Sequence, residues 1–158
     1  MQTLEQLMGN HHQTGSVQWL AVRPARREPM AVVDAVEALA DRGLTGDRYG
    51  SKGGKRQVTL IQWEHLPVVA SLLGLGALDP ARLRRNIAIS GINLTALKDR
   101  QFRLGSAVLA YTGLAHPCSR MEEVLGAGGY NALRGHGGIT ARVLHSGVIR
   151  MGDTLTPL

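Results

Sequence analysis

The chain has a single cysteine, Cys118, among its 158 residues. An internal disulfide is impossible and Cys-rich zinc sites are excluded, so packing and hydrogen bonding alone must hold the fold. Aromatic residues are nearly as scarce: one Phe, two Trp and three Tyr make up 4% of the chain. Most of these are expected in the core, which leaves too few for a base-stacking face and makes a nucleic-acid-binding β-barrel the weakest reading of the basic charge. No stretch approaches the ~18 consecutive apolar residues of a membrane-spanning helix. Met1–Met8 has neither the basic start nor the apolar run of a secretion signal, so the expected compartment is the cytoplasm, with no membrane partner.

Lysine is also in short supply. Of the 18 Lys and Arg residues only Lys52, Lys55 and Lys98 are lysine, leaving 15 arginines, and 12 acidic residues leave a net charge of +6. The planar guanidinium binds phosphate or carboxylate through two parallel hydrogen bonds, whereas an ammonium acts as a point charge. Taken alone, the bias fits either a general solubilising face or a site built for oxyanions.

Glycine is abundant, with twenty residues, many standing singly between short apolar runs, as at Gly43, Gly91, Gly105, Gly113 and Gly152. This punctuation predicts a small, mainly β domain of short strands and tight turns, and a chain of this length can bury roughly 70% of its unfolded surface in one core. Residues 1–15, with Gly9-Asn10-His11-His12, read as a loosely ordered start, and 16–158 as one domain. Strands are expected at Ser16–Val22, Arg56–Ile61, Asn86–Ser90, Phe102–Leu104, Ala107–Thr112, Ile139–Leu144 and Thr154–Leu155. Minor helices are expected near Gln62–Leu73, with Pro67 in the first turn, at Pro80–Arg84 behind an Asp79 N-cap, and at Ser119–Leu125. Met30–Arg42 is ambiguous, because Ala, Glu and Asp favour helix while Val32, Val33 and Val36 suit a strand.

Cys118 lies in His116-Pro117-Cys118-Ser119-Arg120. If Ser119–Leu125 is helical, the sulfur sits at a helix N-terminus beside Arg120, where thiolate is favoured over thiol. A thiolate can ligate a soft metal, carry sulfur as a persulfide or attack an electrophile; the alternative is a small buried hydrophobe. His116 either assists the cysteine or occupies a turn. In Gly43-Leu44-Thr45-Gly46-Asp47-Arg48 two glycines allow a sharp backbone path, Asp47 can fix an arginine and Arg48 can face an anion, unless the segment is only a salt-bridged turn. Arg84-Arg85-Asn86 reads as a solvated charge run or as an oxyanion clamp. Arg142, inside an apolar strand after Gly135-His136-Gly137-Gly138, requires a partner, since a buried unpaired guanidinium is very costly.

Other patterns fail on inspection. Gly50–Arg56 lacks the first glycine and the Ser/Thr of a phosphate-binding loop, and Gly126–Asn131 lacks the last glycine of a dinucleotide fingerprint. The six histidines form neither His-Glu-x-x-His nor a three-ligand cluster.

The ordered set GLTGDRY (43–49), RQVTLI (56–61), LRRNIAISGINL (83–94), FRLGSAVL (102–109), HPC (116–118) and GITARVLHSGVIRMGD (138–153) resembles the MOSC domain, the family named for the C-terminal part of molybdenum cofactor sulfurases. The resemblance runs from about residue 16 to the end. It implies a small distorted β-barrel similar to that of pyruvate kinase, and an extended Val32–Leu39. It also implies that Cys118 is the catalytic sulfur carrier or direct molybdenum ligand. The implied cofactor, molybdopterin, is anionic, which makes Arg48, Arg85 and Arg142 candidates to hold it, with Asn86, Asp47 and His116 as neighbours. Beside larger relatives the chain lacks an additional N-terminal β-barrel, a ferredoxin-like domain and a pyridoxal-phosphate desulfurase domain, so a homodimer or a separate protein is expected to complete the site. Two activities follow from the resemblance. One is reduction of N-hydroxylated substrates with electrons from a reductase partner; the other is carriage of sulfur or cofactor, with a cysteine desulfurase as the source of sulfur.

Overall fold

The computed structural model describes all residues, Met1–Leu158. After α1 (Leu4–Met8) come β1 (Gly15–Val22), β2 (Ala31–Val32), β3 (Ala35–Leu39), β4 (Gly43–Leu44), β5 (Val58–Gln62) and α2 (His65–Leu72). A 3-10 turn at Pro80–Leu83 leads into β6 (Ile87–Ser90), and a second, Leu94–Leu97, into β7 (Gln101–Leu104) and β8 (Ala107–Leu114). The chain ends with α3 (Ser119–Leu125), α4 (Gly129–Leu133), β9 (Ile139–His145), β10 (Gly147–Arg150) and β11 (Thr154–Pro157).

Seven strands close on themselves in the order β11-β7-β8-β9-β5-β6-β1, the ring being completed by pairing of β11 with β1. Closure removes the exposed edges that an open sheet of short strands would carry. The bend it requires is taken up at register shifts between Val17 and Trp19 in β1 and at two points along β8 and β9. Strand alternation fills the interior: Ile139, Ala141 and Val143 of β9 join Leu20, Leu60, Ile87, Phe102 and Leu109 in one apolar core. Thr140 and Arg142, between them, point outward. A separate three-stranded sheet of β10, β3 and β4 flanks the barrel.

All barrel pairings are antiparallel except β5 with β6. A parallel pair needs a crossover, and α2 with the first 3-10 turn supplies it, lying against the outer face of the same two strands. Ile61 and Ala88 face outward there and pack with Leu66, Val69, Leu83, Met121 and Leu133 as a second core. Strands β5 and β6 are therefore buried on both faces, which is why VTLI and IAI carry no charged residue and Thr59, their one polar side chain, is tied to Asn86. Pro67 is the third residue of α2, where its missing N–H belongs to the first turn and leaves no intrahelical bond unmade. Asp79 caps the 3-10 turn, its carboxylate accepting from Ala81 N–H at 2.9 Å.

Met30–Arg42 resolves as two strands, β2 and β3, extended as the resemblance implied. In β3 burial alternates strictly, Val36 and Ala38 inward, so tertiary packing overrides the helix propensity of Ala and Glu. Within residues 1–15, Thr3 and Gln6 form a reciprocal cap on α1, which buries no side chain. No helix is long and apolar enough to cross a membrane.

Two glycines allow the loop before β9 to lie against the barrel. A Cβ on Gly137 would stand 1.9 Å from the Ala115 carbonyl, and one on Gly138, at φ +88°, 1.9 Å from the Leu60 carbonyl. Gly126 has a similar φ of +87° but open space around it. Gly138→Ala is therefore expected to lower stability by about 3 kcal/mol or more, and Gly126→Ala by only about 1 kcal/mol of backbone strain. Urea unfolding of the two variants checks the order.

Candidate functional site

The site begins with a buried ion pair between distant segments. Arg23, just after β1, meets Asp47, in the turn after β4, through two contacts: Nε to Oδ1 at 3.1 Å and Nη2 to Oδ2 at 2.9 Å. Both side chains are 5% exposed or less. Asp47 Oδ1 also accepts the Arg23 backbone N–H at 2.6 Å and the Asn86 amide at 3.2 Å. Asn86, fully buried before β6, accepts from the Thr59 backbone N–H at 3.0 Å and from Arg23 at 3.3 Å, and donates to the Ala21 carbonyl at 3.2 Å. Every polar atom of Asp47 and Asn86 is thus engaged within the protein. They stand behind the surface and fix the turn that presents Arg48.

That surface is crowded with guanidinium groups. Tyr49 lies under two of them, 4.9 Å from Arg23 and 5.7 Å from Arg48. Arg84 ends the first 3-10 turn in a left-handed conformation, φ 55°, and donates to the Glu28 carbonyl at 2.6 Å. Its proton affinity falls below the usual arginine value, first through burial and then through the charges of Arg120, Arg23 and Arg48, with Asp47 opposing. Non-glycine residues held in this region carry strain that the surroundings must sustain.

Arg85 is a different kind of group. It is 4% exposed and has no carboxylate partner, donating instead to three carbonyls: Gly137 at 2.8 Å, Leu83 at 3.2 Å and Ala115 at 3.3 Å. Burial, then the charges of Arg56 and Arg23, push it down to about 10, against an opposing pull from Cys118. It remains a cation at neutral pH. Through Ala115 and Gly137 it pins both the segment that carries Cys118 and the glycine loop before β9.

Cys118 is exposed and stands at the N-cap of α3, its carbonyl accepting from Met121 N–H at 2.9 Å. It is not a core residue. Arg120 lies one residue into the helix, with only a 3.9 Å, largely exposed contact to Glu123. His116 is exposed and borders a small cavity beside the loop. Arg142 pairs with Asp41 at 3.0 Å. Asp41 is held below the usual carboxylate range first by Gln57, then by Gly53 N–H and Arg142, with burial opposing. The cations that perturb Arg84 and Arg85 are Arg23, Arg48, Arg56 and Arg120.

The structure joins Asp47 and Asn86 through Arg23, sets Arg48 over Tyr49, leaves Arg85 within electrostatic reach of Cys118 and pairs Arg142 with Asp41. Sequence reasoning did not single out Arg23, whose link to Asp47 spans 24 residues. Arg84 and Arg120 were visible only as neighbours of other candidates.

A family model for the MOSC domain matches residues 40–156. The chain belongs to the MOSC domain family. That family is associated with the molybdenum cofactor. Among solved structures, YuaD of Bacillus subtilis is similar at a TM-score of 0.78 and 21% identity, with 90% of this chain and 94% of that one covered. YiiM of Geobacillus stearothermophilus gives a TM-score of 0.71 at 19% identity, covering 91% of this chain and 75% of that one. YiiM of Escherichia coli gives 0.70 at 18%, covering 90% and 69%. At these identities the likeness is one of fold. No curated protein is similar enough to count as a relative.

The two kinds of ion pair in this MOSC domain predict opposite outcomes. Asp47→Ala leaves Arg23 buried without a counter-charge and is expected to cost about 3–5 kcal/mol in urea unfolding. Arg142→Ala, whose pair is part-exposed, should leave the midpoint within error of wild type.

Proposed function

We propose that this chain is a molybdenum-cofactor-binding protein that reduces N-hydroxylated substrates, with Cys118 as metal ligand. What supports the reading is an exposed thiol that pulls electrostatically on buried Arg85, next in sequence to Arg84, which feels the charges of Arg120, Arg23 and Arg48, while Asp47 is already paired with Arg23. An anion is what such a cluster lacks.

The residues present fit the group. A thiolate is a soft donor suited to molybdenum, and Arg48, Arg84 and Arg120 supply the forks that phosphate prefers. When bound, the cofactor would supply two-electron transfer at the metal, with electrons from a reductase partner. The protein's own part is to present sulfur and cation together. Arg85 acts from behind, holding the Ala115–Cys118 loop by its carbonyl while keeping positive charge near the sulfur. Asp47 and Asn86 keep the Arg48 turn in place, and His116 flanks the cysteine. Arg142 would join the ligand only by leaving Asp41.

A second reading rests on a specific feature of Cys118. It is exposed rather than recessed, so another protein can reach the sulfur, as a carrier of persulfide or cofactor requires. A cysteine desulfurase would then be the sulfur source.

Elemental analysis and cyanolysis of natively purified wild-type and Cys118→Ser proteins separate these readings. Molybdenum present in wild type and lost in Cys118→Ser, with stability changed by under about 1.5 kcal/mol, is the expected result. Sulfane sulfur without molybdenum would replace the reductase reading with the carrier. Neither in the wild-type protein would overturn both.

A further inference from the structure

A histidine pair lies beside the Cys118 loop and has no part in the arginine cluster. His65, the first residue of α2, and His136, in the glycine loop before β9, are 71 positions apart in sequence, yet their Nδ1 atoms stand 3.2 Å from each other. The rings meet edge to face, with centroids 4.8 Å apart and planes at 89°. At that distance only one Nδ1 carries the proton, so the rings must hold opposite tautomers: one is Nδ1–H, the other Nε2–H.

The pair adjoins a cavity of about 100 Å³. Its wall includes Gln62, His65, Asn93, Thr95, His116 and Gly137, and it shares the Ala115–Pro117 segment with the approach to Cys118. Gln62 is committed elsewhere, donating to Glu64 and Ile92 and accepting from Leu94 N–H. His65 faces the cavity, and His136 behind it is partly exposed. The volume suits about three waters or a molecule of a few heavy atoms.

We propose that His65 and His136 form a two-ring proton relay between solvent and this cavity, and that the cavity takes small uncharged molecules bearing an N–O or hydroxyl oxygen. The inference deepens the reductase reading by naming the N-hydroxyl end of the substrate as the group received. A proton arriving at Nε2 of the Nδ1–H ring releases that ring's Nδ1 proton to its partner. The partner, briefly an imidazolium, gives up its own Nε2 proton on the far side. One N–H bond forms for each that breaks, no charge remains, and the two tautomers have exchanged.

The titratable groups around the pair are Glu64, next to His65, and His116, across the cavity. Burial, then the charge of His136, holds His65 below its ordinary value of 6.5, with Glu64 opposing. Burial raises Glu64, but hydrogen bonds from Gln62 and Gly91 outweigh it and keep the carboxylate ionised. His65 is therefore neutral at pH 7, leaving its ring able to share a proton across the short Nδ1–Nδ1 contact. For a histidine with a lowered native value, the stabilising contribution is full above 6.5 and is lost as pH falls through that lower value.

Long-range proton–nitrogen NMR of the imidazole rings, recorded on full-length Cys118→Ser protein, tests the relay without any metal ligand in place. Opposite tautomers, titrating together, are expected, and His136→Gln should move the His65 titration upward. Hydroxyurea, a small neutral N-hydroxyl probe, should shift Leu114, His116 and Gly137 saturably, with affinity about tenfold weaker in His65→Gln. Identical tautomers, independent titrations, or a probe that leaves these signals unmoved would overturn the proposal. So would Zn²⁺ bound between the two Nδ1 atoms at equimolar concentration, which would make the pair a metal site. Any of these results, with molybdenum retained by wild type and lost in Cys118→Ser, would leave the reading of Cys118 standing.

Discussion

The buried pair of Arg23 and Asp47 is the constraint on which the rest of the site depends. A guanidinium and a carboxylate taken out of water cost several kcal/mol each, and their attraction offsets this only with good geometry and full hydrogen bonding. Here the geometry is bidentate, and Asn86 and the Arg23 backbone complete the carboxylate. The result is a tie among β1, the turn after β4 and the start of β6 that an apolar contact would not orient. Asp47 is fully hydrogen-bonded within this tie and pairs directly with Arg23 alone, so its charge only partly offsets the repulsion that Arg84 feels from Arg120, Arg23 and Arg48. The positive field at the surface follows from how the interior is satisfied.

A second tie works by cation and carbonyl. Arg85 has no carboxylate, and its three carbonyl partners belong to the 3-10 turn, the end of β8 and the loop before β9. Gly137 and Gly138 make that approach possible, since a Cβ at either would collide with backbone. The loop carrying Cys118 and the loop carrying His136 are thus held to one side chain. Thiol, arginine cluster and histidine pair share a scaffold although they stand far apart in sequence.

Much of this was legible from the residues. Strands β5 and β6 were readable as short runs rich in Val, Thr and Ile, and α3 as the helix-favouring stretch that follows Cys118. Met30–Arg42 was not, since its local propensities conflict and its outcome was decided by pairing with β10 and β4. The Gly43–Arg48 turn left open whether Asp47 would accept backbone N–H groups or fix an arginine; it does both, and nothing local pointed to Arg23 as the partner. Arg85 looked like a ligand clamp because charge alone does not reveal that carbonyls will claim its donors. Arg142 needed a partner, as expected, and found it in Asp41. His65 and His136 carry no spacing signal at all; only the crossover of α2 and the glycine loop brings them together.

The central claim is that Cys118 and the arginines form one anion site. The rate of Cys118 alkylation by iodoacetamide, a neutral reagent, with and without inorganic phosphate, tests it most directly. Phosphate held by the arginines should shield the thiol, slowing the reaction about tenfold in wild type and by less than about twofold in Arg48→Ala/Arg84→Ala. Equal rates with and without phosphate in the wild-type protein would contradict the account.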